Sequence, residues 1–100
     1  TAYSLSAGGP IIDPTINNVI ITPICSHSLS AKPIILSGDN TVKFKGFSLK
    51  RSEVFLLIDG RRSYTLKPFS EIYITKSKSQ ISLIKLEKRS FYKTLSEKFK

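Results

Sequence analysis

Cysteine is almost absent from these 100 residues, Cys25 being the only one. An internal disulfide is therefore excluded, and Cys25 has none of the companion ligands that a metal site requires. A lone thiol fits a reducing, cytoplasmic setting. No apolar run approaches the ~20 residues of a membrane-spanning helix, and no basic-then-apolar signal stretch opens the sequence. Histidine also occurs once, at His27. With no nucleophile or paired carboxylate to accompany it, a Ser/His/Asp-type constellation is excluded. There is no tandem repeat and no alternation of strands with long helices, which argues against a solenoid or a parallel βαβ sheet.

Acidic residues are few: 7 Asp/Glu stand against 16 Lys/Arg, for a net charge of +9. Such a balance suits an anionic partner, whether nucleic acid, a nucleotide or an acidic protein. The lysines gather late, at Lys76, Lys78, Lys85, Lys88, Lys93, Lys98 and Lys100. Aromatics fall between some of them, but at a spacing better read as one helix face, so the charge reads as a solvated surface. Apolar residues make up 40% of the chain, enough for one core in a chain able to bury roughly two-thirds of its unfolded surface.

The stretch with most chemistry is the first, Thr1-Ala2-Tyr3-Ser4-Leu5-Ser6-Ala7-Gly8-Gly9-Pro10. Thr1 can cap a helix start. Gly8-Gly9-Pro10 should end that helix after about two turns, because Gly accepts the left-handed conformation and Pro cannot continue the ladder. A short turn carrying Thr1, Tyr3, Ser4 and Ser6 offers N–H groups and hydroxyls to a phosphate or ribose and a ring to a base. On composition alone, the commoner reading of the same residues is an ordinary capped turn with Tyr3 half-buried in packing.

Downstream, Val19–Thr22, Pro33–Leu36, Thr41–Lys45, Phe47–Leu49, Val54–Ile58, Tyr64–Leu66 and Ile72–Ile74 read as strands. Val42 and Phe44 alternate with Lys43 and Lys45, the pattern of a strand with one wet face. Val54–Ile58 is apolar throughout, so both of its faces should be covered. Asp59-Gly60 is the strongest hairpin signal, since both residues tolerate positive φ. Ile81 and Leu83 occupy one strand phase and Ile84 and Leu86 the other, which predicts a strand bent or bulged at Leu83-Ile84. Phe91, Leu95 and Phe99 repeat at helical spacing from Ser90 onward. About seven short strands with a short N-terminal and a C-terminal helix predict a mainly β fold, an antiparallel β-sandwich-like domain.

Four of these stretches together resemble the NAD kinases. Thr1–Ile11 resembles that family's central signature, Thr22-Pro23-Ile24-Cys25-Ser26-His27-Ser28-Leu29 its Thr-Pro-x-x-x-His-x-Leu segment, Asp59-Gly60-Arg61 its Asp-Gly pair followed by Gln or Arg, and Ser90–Phe99 its closing helix. The resemblance implies an enzyme that moves the γ-phosphoryl of ATP, or of polyphosphate, to the 2′-hydroxyl of the adenosine ribose of NAD, making NADP with a divalent metal such as Mg²⁺. It implies NAD-binding roles for Thr1, Ala2, Tyr3, Ser4, Leu5, Ser6 and Arg61. Arg61 stands where many members carry Gln, and would offer a fork of donors to a phosphate or ring oxygen. Cys25, His27 and Asp59 are implied as pocket contacts or as contacts to a neighbouring subunit's site in a homo-oligomer.

The family's Gly-Gly-Asp-Gly loop, with its base, is not among these residues, so no catalytic residue is assigned. The resemblance also implies that residues 1–89 are a β-rich NAD-binding domain incomplete at its N-terminus, and that residues 90–100 dock on an N-terminal domain. The alternative on composition is a small basic β-domain that binds nucleic acid.

Overall fold

The computed structural model describes residues 2–45 and 53–99. Their elements are α1 (Ala2–Ser6), β1 (Asn18–Ile21), β2 (Ile34–Ser37), β3 (Val42–Lys45), β4 (Val54–Ile58), β5 (Arg62–Leu66), β6 (Glu71–Ile74) and α2 (Phe91–Lys98). Every strand pair is antiparallel: β1 with β2, β3 with β6 and β4 with β5. The chain is thus mainly β with two short helices, as the sequence predicts. Thr1 and the strand expected over Phe47–Leu49 lie outside the described residues. The chain divides into two compact units, Thr1–Asn40 with Ser77–Lys100, and Thr41–Lys76.

In the first unit, α1 ends as its glycines dictate. Gly8 takes φ +88°, its N–H bonds Leu5 O at 3.1 Å, and the N–H of Gly9 bonds Ser4 O at 2.7 Å. This pair of bonds, with a left-handed glycine between helix and exit, is a Schellman close. The helix itself has five residues, shorter than the two turns expected, because the close consumes Ala7 and Gly8. β1 and β2 then pair from Asn18↔Ser37 to Ile21↔Ile34. Gly38 is buried against the Asn17 side chain, where a Cβ would collide.

The second unit nests one hairpin inside another pair. β4 and β5 are joined by a tight turn, with Asp59 at φ 52°, Gly60 at φ 68° and Arg61 N–H bonded to Ile58 O at 3.1 Å. Positive φ at both central residues is what a type I′ hairpin turn needs. Around it, β3 pairs with β6, Val42↔Ile74 and Phe44↔Ile72 on one face, Lys43↔Tyr73 and Lys45↔Glu71 on the other. The alternation read from the sequence is correct. On the wet face Glu71 accepts from Tyr73 Oη at 2.8 Å and lies 3.9 and 3.8 Å from Lys43 Nζ and Lys45 Nζ. That hydrogen bond holds the Tyr73 phenol above its ordinary pKa. Exposed ion pairs of this kind contribute little, ~0–1 kcal/mol each. Facing the other way, Phe44, Ile72 and Ile74 share a cleft of about 350 Å³ with Val54, Leu56 and Leu66 of the inner hairpin.

Three expectations fail. No apolar side chain among the described residues is fully buried, so the single core expected from composition is absent. Among the described residues the strands pair only in twos, so no sheet is wide enough to enclose a core. For the same reason β4 is not covered on both sides: Phe55, Leu57 and Ile58 are 50, 62 and 44% exposed. The bent strand expected over Ile81–Leu86 does not form. Residues 75–90 contain neither strand nor helix, and Ile81, Leu83, Ile84 and Leu86 are 81–96% exposed. A strand exists only through its ladder partner, and none lies beside this segment among the described residues.

Candidate functional site

Ala2, Tyr3 and Ser6 on α1 face solvent, and Tyr3 is 84% exposed. The aromatic ring is therefore presented to solvent rather than packed. Ser4 behaves differently. It is half-buried, and its Oγ lies 2.7 Å from Thr22 Oγ1 at the end of β1. Gly9 closes over the same residue: it is buried, and a Cβ there would strike Ser4 Oγ and lie 2.7 Å from Ser4 O. Leu5 turns toward Ile12, Ile20, Phe91 and Leu95, which line a cleft of about 190 Å³. One turn of helix thus has an anchored side, Ser4 and Leu5, and an open side, Ala2, Tyr3 and Ser6.

The terminal helix supports that anchored side. Its predicted stripe is real but uneven: Phe91 and Leu95 are half-buried while Phe99, just past the helix, stays 60% exposed. Ser90 occupies the N-cap without a side-chain capping bond, and Arg89 Nη2 pairs with Glu97 Oε2 at 2.7 Å. Tyr92 Oη donates to Asp13 Oδ2 at 2.6 Å, while Asp13 Oδ1 accepts from Thr15 N at 2.8 Å and Thr15 Oγ1 at 2.7 Å. These bonds, Tyr92 first and Thr15 next, pull the Asp13 carboxyl below its usual pKa, and the same Tyr92–Asp13 bond raises the phenol.

Cys25 and His27 lie in the same unit, on the exposed loop after β1, where Cys25 adopts φ 52°. The serines on either side of His27 brace one another: Ser28 Oγ is 2.7 Å from Ser30 Oγ, and Ser28 N–H donates to Ser26 Oγ at 3.2 Å. Asp59 and Arg61 belong to the β4–β5 turn of the other unit, both exposed. Among the described residues, no three His, Cys, Asp or Glu side chains gather as a metal site would require, so these residues do not fit as the binding site of a divalent ion. Nor is any described helix long and apolar enough to cross a membrane. Sequence reasoning missed Thr22, Asp13 and Tyr92. Only Asp13-x-Thr15, an Asx-turn pattern, carried a local signal.

The sequence model of the ATP-NAD kinase C-terminal domain matches residues 1–86. The chain belongs to that family. The NAD kinase of Caldicellulosiruptor saccharolyticus is 44% identical over 100 residues, all of this chain and 37% of that protein. That of Carboxydothermus hydrogenoformans is 43% identical over 100 residues, 35% of its length. That of Clostridium perfringens is 40% identical over 98 residues, 98% of this chain and 35% of that protein. The chain therefore spans little more than a third of these curated relatives. The part matched by the C-terminal domain model contains α1, the six strands of the described residues and the irregular segment to Leu86, and the relatives' alignments continue through α2.

Proposed function

We propose that this chain is the NAD-binding part of an NAD kinase, which phosphorylates the 2′-hydroxyl of the adenosine ribose of NAD at the expense of ATP or polyphosphate. The observation that carries this reading is the family match over residues 1–86 together with the state of its opening motif, a solvent-facing turn with Tyr3 84% exposed. In this reading Tyr3 lays its ring against the dinucleotide. Thr1 contributes through its backbone and hydroxyl, Ala2 through close backbone approach, and the Ser6 hydroxyl bonds toward the ligand. Ser4 and Leu5 contribute from behind, as the anchored side of the turn. Arg61 and Asp59 add contacts from their hairpin turn, and Cys25 and His27 serve a neighbouring copy's site in a homo-oligomer working in the cytoplasm.

Phosphoryl transfer depends chiefly on positioning and charge stabilisation. Holding the acceptor ribose is the share of that work assigned to these residues. The base that takes the 2′-hydroxyl proton and the ligands of the divalent metal are assigned to none of them. The test is Tyr3→Ala in an enzyme of full family length carrying this chain. Losing a stacked ring should raise KM for NAD by roughly tenfold or more, since stacking on an aromatic side chain is worth ~1–3 kcal/mol per base. The fold should be untouched, as the ring packs against little. Unchanged NAD kinetics in a folded Tyr3→Ala protein would remove the assigned role.

A further inference from the structure

We infer that Tyr92, acting through Asp13, is a positioning residue that holds the α1 turn in its ligand-binding geometry. The inference rests on the assignment of that turn to NAD. Its basis is the way α1 is supported. On one side the turn is tied to β1 by the Ser4–Thr22 hydroxyl contact at 2.7 Å. On the other, Leu5 shares a cleft with Phe91 and Leu95 of α2. Apolar contact across a half-open cleft is non-directional: it draws α2 toward α1 without fixing its rotation or its register.

The Tyr92–Asp13 hydrogen bond supplies direction. Tyr92 follows Phe91 and precedes Leu95 by three positions, so it shares a helix with both cleft residues. Its ring meets that of Phe91 edge to face at 5.4 Å between centroids. The acceptor is itself oriented, because Asp13 Oδ1 is occupied by Thr15 N and Thr15 Oγ1 while Oδ2 takes the phenol at 2.6 Å. Asp13 lies four residues beyond Gly9, at the end of the short segment leaving the Schellman close. A strut thus runs from α2 to the exit of the motif across 79 positions of sequence. The ion pair of Arg89 with Glu97 stays within the helix and its approach, so it cannot do the same.

Tyr92→Phe removes one hydroxyl at a residue already 61% exposed, which spares the packing. It is made in the enzyme of full family length, with Tyr3→Ala and Asp13→Asn alongside, and read in two ways. Amide hydrogen exchange at Gly8 and Gly9 reports the turn, and steady-state kinetics with NAD report binding. We expect exchange at those amides to quicken and KM for NAD to rise, each by roughly threefold to tenfold, the range for one lost hydrogen bond. The value of kcat should stay within about twofold, because the interaction is uniform between ground and transition states. Asp13→Asn keeps one oxygen for the Thr15 N–H and sets an amide NH2 against the phenol, which can accept in place of donating, so it should fall between the parent and Tyr92→Phe.

Unchanged exchange in Tyr92→Phe overturns the inference. So does faster exchange with an unchanged KM if Tyr3→Ala raises KM in the same assay. Faster exchange with neither variant moving KM leaves the strut standing and instead rejects the NAD assignment of the turn.

Discussion

Replacing Gly9 by alanine should damage this domain more than replacing Gly8, although Gly8 is the residue with the unusual backbone. A Cβ on Gly9 would collide with Ser4 Oγ and lie 2.7 Å from Ser4 O and 3.0 Å from Ser4 C. Two of those three atoms are backbone, so a side-chain rotation cannot relieve the clash. The 2.7 Å bond from Gly9 N–H to Ser4 O must lengthen, and the Ser4–Thr22 contact must move with it. Overpacking of this kind costs about 1–3 kcal/mol, and a lost hydrogen bond adds about 1 kcal/mol. Gly8 meets nothing within 4 Å, so its alanine variant suffers only the strain of φ +88°, about 1–2 kcal/mol. An enzyme of full family length has roughly 280 residues, so at about 1.7 °C per kcal/mol Gly9→Ala should lower Tm by roughly 3–7 °C. Gly8→Ala should lower it by roughly 2–4 °C on the same scale. Scanning calorimetry of the two variants in an enzyme of full family length decides the matter. A Gly9→Ala protein that melts within about 2 °C of the parent, or above Gly8→Ala, refutes the steric account.

Other outcomes follow from the same coordinates. Asp13 is held below its ordinary value and Tyr92 above its own. The carboxylate's contribution is present above its unfolded pKa of about 4 and is lost as pH falls through the lower folded value. The phenol's contribution is present below about pH 10 and is lost as pH rises through the higher folded value. The Tm difference between the parent and Tyr92→Phe should therefore be flat from about pH 5 to 9 and shrink outside it; a step near neutrality would implicate a different group. Gly60→Ala, at φ 68° in open space, should destabilise the β4–β5 hairpin by about 1–2 kcal/mol, visible as faster exchange of the Arg61 amide. Finally, the purified 100-residue chain given ATP, Mg²⁺ and NAD should not turn over. Product formation by pure material would mean that a base lies within it after all.

What could be read from the sequence was local. The Asp59-Gly60 turn, the Lys43/Lys45 alternation and the left-handed glycine after α1 depend on residues within a few positions of each other, and all three were legible. The exposed Tyr3 was legible as a candidate, though the choice between packing and display needed coordinates. Pairing partners were not. β3 meets β6 and not β4, and nothing in Val42–Lys45 says so. The Ile81–Leu86 segment has strand composition, yet composition cannot provide a ladder partner. Ser4 is legible as a hydroxyl of the motif, whereas its contact with Thr22, 18 positions away, left no mark in the sequence. Tyr92 and Asp13 are farther apart still, and a phenol in an amphipathic helix carries no mark of the carboxylate it will reach.

The nesting of β4–β5 within β3–β6 has a consequence for how such a domain can vary. Because Val42 sits opposite Ile74, the chain enters and leaves the Thr41–Lys76 unit at adjacent points, the geometry of an inserted module. Lengthening or trimming the inner hairpin leaves the spacing of those two points unaltered. The turn that bears Asp59 and Arg61 can therefore change in length without moving the points at which the Thr41–Lys76 unit joins the rest of the chain.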